Sequence, residues 1–236
     1  MPDRTREIAI AIDGPASSGK GTVARRVADA LGYAWVDTGA LYRAVGERAI
    51  EIGVDPRDAE GATRVARALR VRFERVGGAL RVLRDDVDVT ARIRAEGVGR
   101  AASAVAVHPG VRSALLQTQR DLGVAGGVVM DGRDIGTVVL PDAELKIFLD
   151  ASLDERARRR HGEHPGVPYT QVRDDLAARD AQDAGRAVAP LRPADDAVHI
   201  DTTALTIDEV VSIIVTLARG ARDRAQTTVD EPARVN

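Results

Sequence analysis

The chain has 236 residues, of which 34 are basic and 36 acidic, for a formal net charge of −2. This balance argues against a general nucleic-acid binder but leaves room for arginines gathered in one cleft around a small anion. There is no cysteine, which excludes disulfides and thiolate metal sites, and no apolar stretch approaches the length of a membrane span. We expect a cytoplasmic monomer with one core and an inserted subdomain, and no nucleic-acid or membrane partner.

The first predicted element is an apolar strand, 8–12, that runs into a glycine-rich turn. The turn contains, in order, Gly14, Pro15, Ala16, Ser17, Ser18, Gly19, Lys20, Gly21 and Thr22. Such a turn lets backbone N–H groups surround phosphate oxygens, while the lysine reaches the β- and γ-phosphates. A turn that only packs a strand against a helix is the alternative. The strand, the spacing, the lysine and the following helix together favour a nucleoside triphosphate site.

Two details of this loop concern its charge and its metal. Only Lys20 and Lys146 are lysines among the 34 basic residues, so a compact ammonium group is kept where the loop requires one. The general motif has a magnesium-binding hydroxyl directly after the lysine, whereas here Gly21 intervenes before Thr22. We therefore predict no direct side-chain metal ligand and a contact of Thr22 with Mg²⁺ through water.

The next elements alternate between helix and strand. A helix ending at Gly32 precedes a short strand, 34–36, and a second helix begins at the start signal Asp37-Thr38-Gly39. Alternating apolar residues over 71–89 predict a small antiparallel meander with turns at Gly77-Gly78 and Asp85-Asp86. Two helices, 93–105 and 111–122, follow.

Signals typical of a parallel sheet return in the last third of the chain. The apolar runs 128–130 and 145–149 are typical of strands buried on both faces. A helix capped by Ser152 extends to Arg160, a loop covers 161–168, and further helix, strand and helix are predicted at 170–184, 197–200 and 206–219. Residues 221–236 lack an apolar face and are predicted to form a disordered tail.

The order of these elements predicts an α/β protein, a three-layer fold whose central sheet is mostly parallel. We expect a single domain over 1–220, with a small antiparallel insert at about 57–105 and a short helical lid at about 153–190. Ligands in such folds bind at the carboxyl ends of the strands.

Polar clusters follow these strand ends. Arg43 lies beyond Thr38 at the start of a helix, and Arg133 and Asp134 lie in a glycine-flanked turn. Taken singly, they are equally typical of a solvated arginine and an ordinary acidic turn. Their common edge with a phosphate loop favours a site in which guanidinium groups bind a second phosphate.

The segment from Arg179 to Arg186 is the other dense cluster. Arg179, Asp183 and Arg186 share one helical face if the helix continues that far. A face with two arginines around one carboxylate could bind a phosphate and sugar hydroxyls together. An exposed salt-bridge series is the alternative. The apolar residues 187–191 that follow favour a mobile lid. The run 156–160, rich in arginine, is interpreted as a solvated or lid-facing helix because no aromatic residues interleave.

Together these motifs resemble the bacterial cytidylate kinases. The resemblance covers about 8–219 and is most specific in Asp-Gly-Arg-Asp-Ile-Gly-Thr, 131–137, and in Arg-Asp-x-x-Asp-x-x-Arg-x-x-Ala-Pro-Leu, 179–191. It implies transfer of the γ-phosphate of ATP, with Mg²⁺, to CMP, and dCMP as a second acceptor. The meander would then belong to the enlarged subdomain that binds the nucleoside monophosphate.

The resemblance also implies roles for individual residues. Lys20, Arg133, Arg179 and Arg186 would be catalytic. Arg43, Arg133 and Arg186 would hold the acceptor phosphate, and Asp183 with Arg179 would meet the ribose hydroxyls. Ser103, Arg112 and Asp134 would read the cytosine edge, and Thr38 would contribute a hydroxyl contact.

Three other functions remain open from the residues alone. One is a phosphate-loop kinase with a hydroxyl acceptor such as a small sugar acid, which would need a carboxylate base near the acceptor. A second is a GTPase-like switch, which usually reads guanine through Asn-Lys-x-Asp, whereas the one asparagine here is Asn236. A third is an arginine-rich nucleic-acid module, which would bind oligonucleotides in a salt-dependent manner.

Overall fold

The computed structural model describes residues 7–76, 79–95 and 97–230. The chain divides into two compact units. Residues 1–35 and 122–236 form the first, called the sheet unit, and residues 36–121 form the second, called the insert unit. The predicted insert of about 57–105 lies inside the insert unit.

The described strands are β1 (Ala9–Asp13), β2 (Ala34–Asp37), β3 (Val71–Val76), β4 (Ala79–Arg84), β5 (Val87–Asp88), β6 (Val128–Gly132), β7 (Leu145–Asp150) and β8 (Val198–Asp201). The described α-helices are α1 (Lys20–Leu31), α2 (Gly39–Glu51), α3 (Ala59–Ala68), α4 (Val98–Val105), α5 (Pro109–Gly123), α6 (Leu153–Glu163), α7 (Tyr169–Ala184) and α8 (Ile207–Asp230). A short 3-10 turn covers Arg92–Arg94, and a π-helical turn covers Ile135–Val139.

The sheet unit is organised around β1. The five-stranded sheet has the order β2-β6-β1-β7-β8, and β1 is parallel to both β6 and β7. Ile10 lies opposite Val129 on one side and Leu145 on the other. Helices α1 and α8 contact each other over the sheet, and β1 is buried along its whole length. Burial on both faces explains why β1 is a continuous apolar run.

Local capping sets where two helices of this unit begin. The Ser152 side chain accepts a hydrogen bond from Glu155 N at 3.3 Å at the start of α6. Before α8, Thr206 Oγ1 accepts from Glu209 N at 3.3 Å and Glu209 Oε2 accepts from Thr206 N at 2.8 Å. The predicted capping box at Thr206 is therefore confirmed, whereas at α6 only the Ser152 cap forms, because Ser152 N donates to Thr203 Oγ1 at 2.9 Å instead of to Glu155. None of the helices in the described ranges is long and apolar enough to cross a membrane.

The insert unit contains the antiparallel sheet β3-β4-β5, which confirms the predicted meander. Its Asp85-Asp86 turn has positive φ at both residues, and the predicted Gly77-Gly78 turn lies outside the described residues. Arg84 on β4 is buried and pairs with Glu47 and Glu51 of α2, the latter at 2.8 Å. This ion pair ties the small sheet to the helix beneath it.

Helix α3 and the π-helical turn were not predicted, and three predicted elements have different bounds in the structure. The predicted helix 93–105 is a 3-10 turn followed by α4, because Gly97 takes a left-handed conformation with φ of 83°. Helix α6 continues to Glu163, into the predicted loop. The largest difference is α8, which extends to Asp230 instead of ending at Arg219.

The extension of α8 corrects the prediction that residues 221–236 form a disordered tail, as far as residue 230. Ala218 and Ala221 are buried in the core and Ala225 packs against it, so alanines at helical spacing form a narrow apolar face. Alanine is also the best helix former, which favours continuation. Residues 231–236 lie outside the described residues.

Gly14, directly after β1, adopts a backbone that side chains rarely permit. Its φ is 150°, and an added Cβ would lie 2.0 Å from the carbonyl oxygen of Leu149 on β7. Gly32 at the end of α1 also has a positive φ, of 71°, but an added Cβ would meet nothing within 4 Å. A substitution at Gly14 therefore meets both a steric clash and backbone strain, whereas one at Gly32 meets backbone strain alone.

We expect Gly14→Ala to lower the free energy of unfolding by about 3 kcal/mol, since strain and overpacking act together. Gly32→Ala should cost about 1 kcal/mol, the strain alone. Urea denaturation of both variants measures the difference. Equal losses in the two variants would contradict the role assigned to the contact with Leu149.

Candidate active site

The candidate site of the sheet unit begins at the loop between β1 and α1. Gly14 and Gly19 have φ of 150° and 89°, and Ser17 also has a positive φ, of 60°. These conformations turn the backbone tightly before α1 begins at Lys20. Consecutive N–H groups in such a turn and at a helix start can bind phosphate oxygens.

Lys20 lies within this loop rather than in solvent. Its Nζ donates to Pro15 O at 2.5 Å and to Ser18 Oγ at 3.3 Å, and the residue is 5% exposed. Burial lowers the pKa of Lys20 well below its ordinary value, and the charge of Arg133 acts in the same direction. The carboxylates of Asp131 and Asp13 oppose this shift. An anionic ligand in the loop would stabilise the charged lysine further.

Asp13, the last residue of β1, connects the loop to the π-helical turn. Its carboxylate accepts hydrogen bonds from Ile135 N at 2.8 Å and Gly136 N at 2.7 Å. Burial raises the pKa of Asp13 to about 6, although these two hydrogen bonds oppose the shift. The carboxylate thereby holds the segment that carries Arg133 and Asp134 against the end of β1.

Asp131 lies at the end of β6, next to the end of β1. Its Oδ1 accepts a hydrogen bond from Trp35 Nε1 at 2.8 Å. A Cβ added to Gly21 would lie 4.0 Å from Asp131 Oδ2 and 3.9 Å from the Trp35 ring. Asp131 therefore faces the first turn of α1, beside the loop, where its carboxylate favours the charged form of Lys20.

A carboxylate held by two guanidinium groups forms the second part of the site. Arg133 Nε donates to Asp183 Oδ2 at 2.9 Å, and Arg186 Nη2 donates to Asp183 Oδ1. Asp183 is 1% exposed. Burial alone would raise the pKa of Asp183, but the charges of Arg133, Arg186 and Arg179 outweigh it and lower the pKa.

The structure brings together the predicted site residues of this unit with one change of geometry. Helix α7 ends at Ala184, so Arg186 lies beyond the helix instead of on one of its faces. The chain turns back after it, and Leu191 N donates to Asp183 O at 2.9 Å. Arg179 affects the pKa of both Lys20 and Asp183, which ties the arginine cluster electrostatically to the loop.

The remaining predicted residues belong to the insert unit. Arg43 Nη2 donates to Asp37 Oδ2 at 2.5 Å, and Thr38, just before α2, is 3% exposed. Arg112 is 6% exposed, donates to Ala106 O at 3.2 Å and lies with its guanidinium carbon 5.5 Å from the centre of the Tyr42 ring.

Ser103 lies half-buried on α4 of the insert unit. The pairing of Arg112 with Tyr42 was missed by the sequence prediction. A cation over an aromatic ring across 70 positions of sequence has no local pattern.

Three other residues were also missed. Asp13 ends β1, next to the predicted strand-end cluster that contains Asp131, and the rule that ligands bind at strand ends was the signal for it. Within the arginine-rich run 156–160, the position on the helix decides which side chains face the protein and which face solvent. Arg156 is buried, and Arg159 donates to Ser18 O at 3.4 Å and to Thr202 O at 2.6 Å.

Replacing the central carboxylate should test this cluster. We expect Asp183→Asn to lower the free energy of unfolding at pH 7 by about 3 kcal/mol, because Arg133 and Arg186 lose the buried anionic partner between them. The native pKa lies below the ordinary 3.8, so the stabilisation is present above that pH and is lost as the pH falls through the native value.

The stability difference between wild type and Asp183→Asn should therefore shrink at pH values below about 3.8. Denaturant titrations across that range measure it. Asp175→Asn, on the exposed side of α7, is the matched control and should change stability little at any pH. A loss for Asp183→Asn that is independent of pH would contradict the electrostatic role.

The chain is similar in sequence to proteins of one known family. The family model described as cytidylate kinase matches residues 10–220. A cytidylate kinase of Anoxybacillus flavithermus is 48% identical over 218 residues, 91% of this chain and 97% of that protein. One from Geobacillus kaustophilus is 50% identical over 214 residues, 89% of this chain and 96% of that protein.

A solved structure, that of a gluconokinase from Sinorhizobium meliloti 1021, has a TM-score of 0.50 at 15% identity, covering 95% of this chain and 99% of the other. A likeness at that identity concerns the fold alone, and it agrees with the predicted α/β class with a mostly parallel central sheet. The match of the family model over 10–220 and the identity to full-length relatives lead to one conclusion: the chain belongs to the cytidylate kinase family.

Proposed function

We propose that this nucleoside monophosphate kinase transfers the γ-phosphoryl group of ATP to CMP, giving ADP and CDP, and that dCMP is a second acceptor. The observation that carries the proposal is the cluster of Arg133, Asp183 and Arg186. This cluster lies in the same unit as the buried Lys20. A phosphate loop alone suits many nucleotide-binding proteins. A second set of guanidinium groups suits an acceptor that is itself a phosphate.

ATP would bind at the loop 14–22 of the sheet unit. Backbone N–H groups of the loop and of the start of α1 would donate hydrogen bonds to the β- and γ-phosphate oxygens. Lys20, held by Pro15 O and Ser18 Oγ, already lies in the loop and needs little reordering to meet them. This preorganisation reduces the entropic cost of binding the triphosphate.

The residues beside the loop fit a magnesium ion bound with the triphosphate. Within the described residues, there is no group of three or more His, Cys, Asp or Glu side chains that could hold a metal. This suits Mg²⁺, which keeps several waters and is usually held by one or two carboxylates and the substrate phosphates. Asp131 and Thr22 would hold it through water, and when bound it neutralises charge on the β- and γ-phosphates.

The acceptor roles follow the resemblance residue by residue. Arg43, Arg133 and Arg186 would bind the CMP phosphate, and Arg179 with Asp183 would bind the ribose hydroxyls. The cytosine edge would be read by Ser103, Arg112 and Asp134. Thr38 would add a hydroxyl contact. Arg133 donates one hydrogen bond to Asp183 and one to Gly132 O, and these donors would pass in part to the ligand phosphate, which can accept bidentate contacts.

The reaction needs positioning more than acid–base chemistry. A phosphate oxygen of CMP attacks the γ-phosphorus of ATP, the bond from that phosphorus to the bridging oxygen breaks, and ADP leaves with that oxygen. The nucleophile is already an anion, so no general base is required. The role of Lys20, Arg133, Arg179 and Arg186 is to neutralise the charge that develops on the transferred group.

Water must be kept from the γ-phosphate, or the enzyme would hydrolyse ATP. We propose that residues 153–190, which contain α6 and α7, form the lid that excludes it, and that the kinase domain spans 1–220 with the acceptor-binding insert at about 57–105. Leu176 and Val172 of α7 pack against Ala16 of the loop, which supports a lid seated on the triphosphate site.

A coupled assay of ADP release tests the function. With ATP and Mg²⁺ present, CMP and then dCMP should stimulate ADP release, because both present a phosphate acceptor and a cytosine. AMP, GMP and small sugar acids serve as comparison acceptors. Release that CMP does not stimulate would refute the proposal, and stimulation by a sugar acid would point to a hydroxyl-acceptor kinase instead.

Substitutions at the two cationic groups test the roles. Lys20→Ala and Arg186→Ala should each lower kcat/KM for CMP by at least about 100-fold, since a preorganised charge at the transferred group is lost. Circular dichroism should show that the fold survives.

The matched control for Lys20 is Lys146→Ala, which removes the other lysine; Lys146 pairs with Asp196 at 2.9 Å. For Arg186 the control is Arg173→Ala, whose exposed side chain pairs with Asp154 at 2.7 Å. Both controls should keep turnover within about threefold of wild type. Near-normal turnover in Lys20→Ala or Arg186→Ala would remove the role assigned to that residue.

A further inference from the structure

Arg156 of α6 is a buried arginine with three partners in three different segments. The residue is 6% exposed. Its Nε donates to Ala151 O at 2.9 Å, and its Nη1 donates to Asp180 Oδ2 at 2.6 Å and to Ala16 O at 3.3 Å. One guanidinium thus joins the end of β7, helix α7 and the phosphate loop.

Apolar packing surrounds this contact. Ala16 of the loop, Ala157 of α6, and Val172 and Leu176 of α7 form one buried cluster. Ala157 is 0% exposed and follows Arg156 directly. The loop and the two helices therefore pack together around the guanidinium. A displacement of the loop backbone at Ala16 would move the acceptor of one Arg156 hydrogen bond.

The partner carboxylate lies in the part of α7 that carries the acceptor-side residues. Asp180 follows Arg179 directly and precedes Asp183 by less than one helical turn. Arg133 anchors Asp183 from the end of β6, while Arg156 anchors Asp180 from α6. The last turns of α7 are thus held by two guanidinium groups that belong to different segments.

Stability does not explain this arrangement. The Oδ1 atom of Asp180 is buried and has no hydrogen-bond partner within the described residues. A buried ion pair with an unsatisfied oxygen contributes little to folding, and apolar side chains of similar volume would serve as well. What the pair does provide is a defined distance between the loop and α7.

We propose that Arg156 is a positioning residue that couples binding of the triphosphate at the loop to the placement of Arg179 and Asp183 on α7. The inference rests on the proposed function, because those two residues act on the acceptor nucleotide there. Binding of phosphate at 14–22 fixes the carbonyl of Ala16, which fixes Arg156 and, through Asp180, the last turns of α7. Coupling of this kind is reciprocal, so each nucleotide strengthens binding of the other.

The coupling is measured as the ratio of two dissociation constants for CMP, without and with a saturating non-hydrolysable ATP analogue and Mg²⁺, by isothermal titration calorimetry. We expect a ratio of about tenfold for wild type, within the usual range for coupled sites. Arg156→Met and Asp180→Asn should bring the ratio close to one while the affinity for CMP alone changes by less than about threefold. Arg156→Lys, which keeps a cation, should restore part of the coupling.

Arg160→Met is the matched control. Arg160 lies on the same helix but has an exposed ion pair with Glu163 at 2.9 Å, so its loss should leave the ratio unchanged. Because removal of one partner of a buried pair destabilises a fold, thermal unfolding is recorded for every variant. The milder Asp180→Asn and Arg156→Lys are compared if Arg156→Met does not fold.

The outcomes are distinct. A wild-type ratio of one, or a wild-type ratio retained in Arg156→Met and Asp180→Asn, overturns the positioning role. A merely structural role would lower the unfolding temperature and leave the ratio intact in the folded fraction. If CMP does not stimulate ADP release in the wild type, the proposed function itself fails, whereas an active enzyme without coupling refutes only this inference.

Discussion

A cation buried in the turn after a central strand constrains much of the sheet unit. Lys20 is 5% exposed, and the carboxylates of Asp131 and Asp13 oppose the lowering of its pKa by burial. These carboxylates reach it because β1 and β6 are parallel in a register that places Ile12 opposite Asp131. A shift of β6 by one residue in that register would turn the side chain of Asp131 to the other face of the sheet. Strand pairing therefore sets the charge balance of the loop.

The same constraint extends to the next segment of the chain. Asp13 holds the π-helical turn through Ile135 N and Gly136 N, and this turn follows Arg133 and Asp134 directly. Arg133 then binds Asp183 on α7. Electrostatic contacts thus run from the end of β1 to the last turn of α7. Phosphate in the loop would add negative charge near Lys20 and Arg133, two cations whose charges already act on each other.

The parts of the fold and site that the sequence could predict are those with local patterns. The run from β1 through the loop to α1 has its whole pattern within consecutive residues. Ser152 and Thr206 mark helix starts three residues before their glutamates. The clusters at Arg133 and at Arg179 to Arg186 were predicted because they follow a rule of topology, that parallel strands end at one edge.

The remainder depends on contacts between distant residues or on weak local signals. Arg156 is buried while Arg158 is 64% exposed at its side chain, and only the packing of α6 on α7 distinguishes them. The stacking of Arg112 on Tyr42 likewise requires the folded insert unit. Helix α8 was underestimated because three alanines at helical spacing make too small an apolar face to stand out among charged neighbours. In each case the deciding energy is tertiary packing, which overrides local propensity.

The hydrogen bond from Trp35 to Asp131 has a practical consequence. The chain contains one tryptophan, and its indole lies against the first turn of α1, beside the carboxylate next to Lys20. Indole emission depends on the charges and hydrogen bonds around the ring, so intrinsic fluorescence reports from a single known position. The protein thus carries its own optical probe at the phosphate loop, and nucleotide arrival there can be followed in real time without a label.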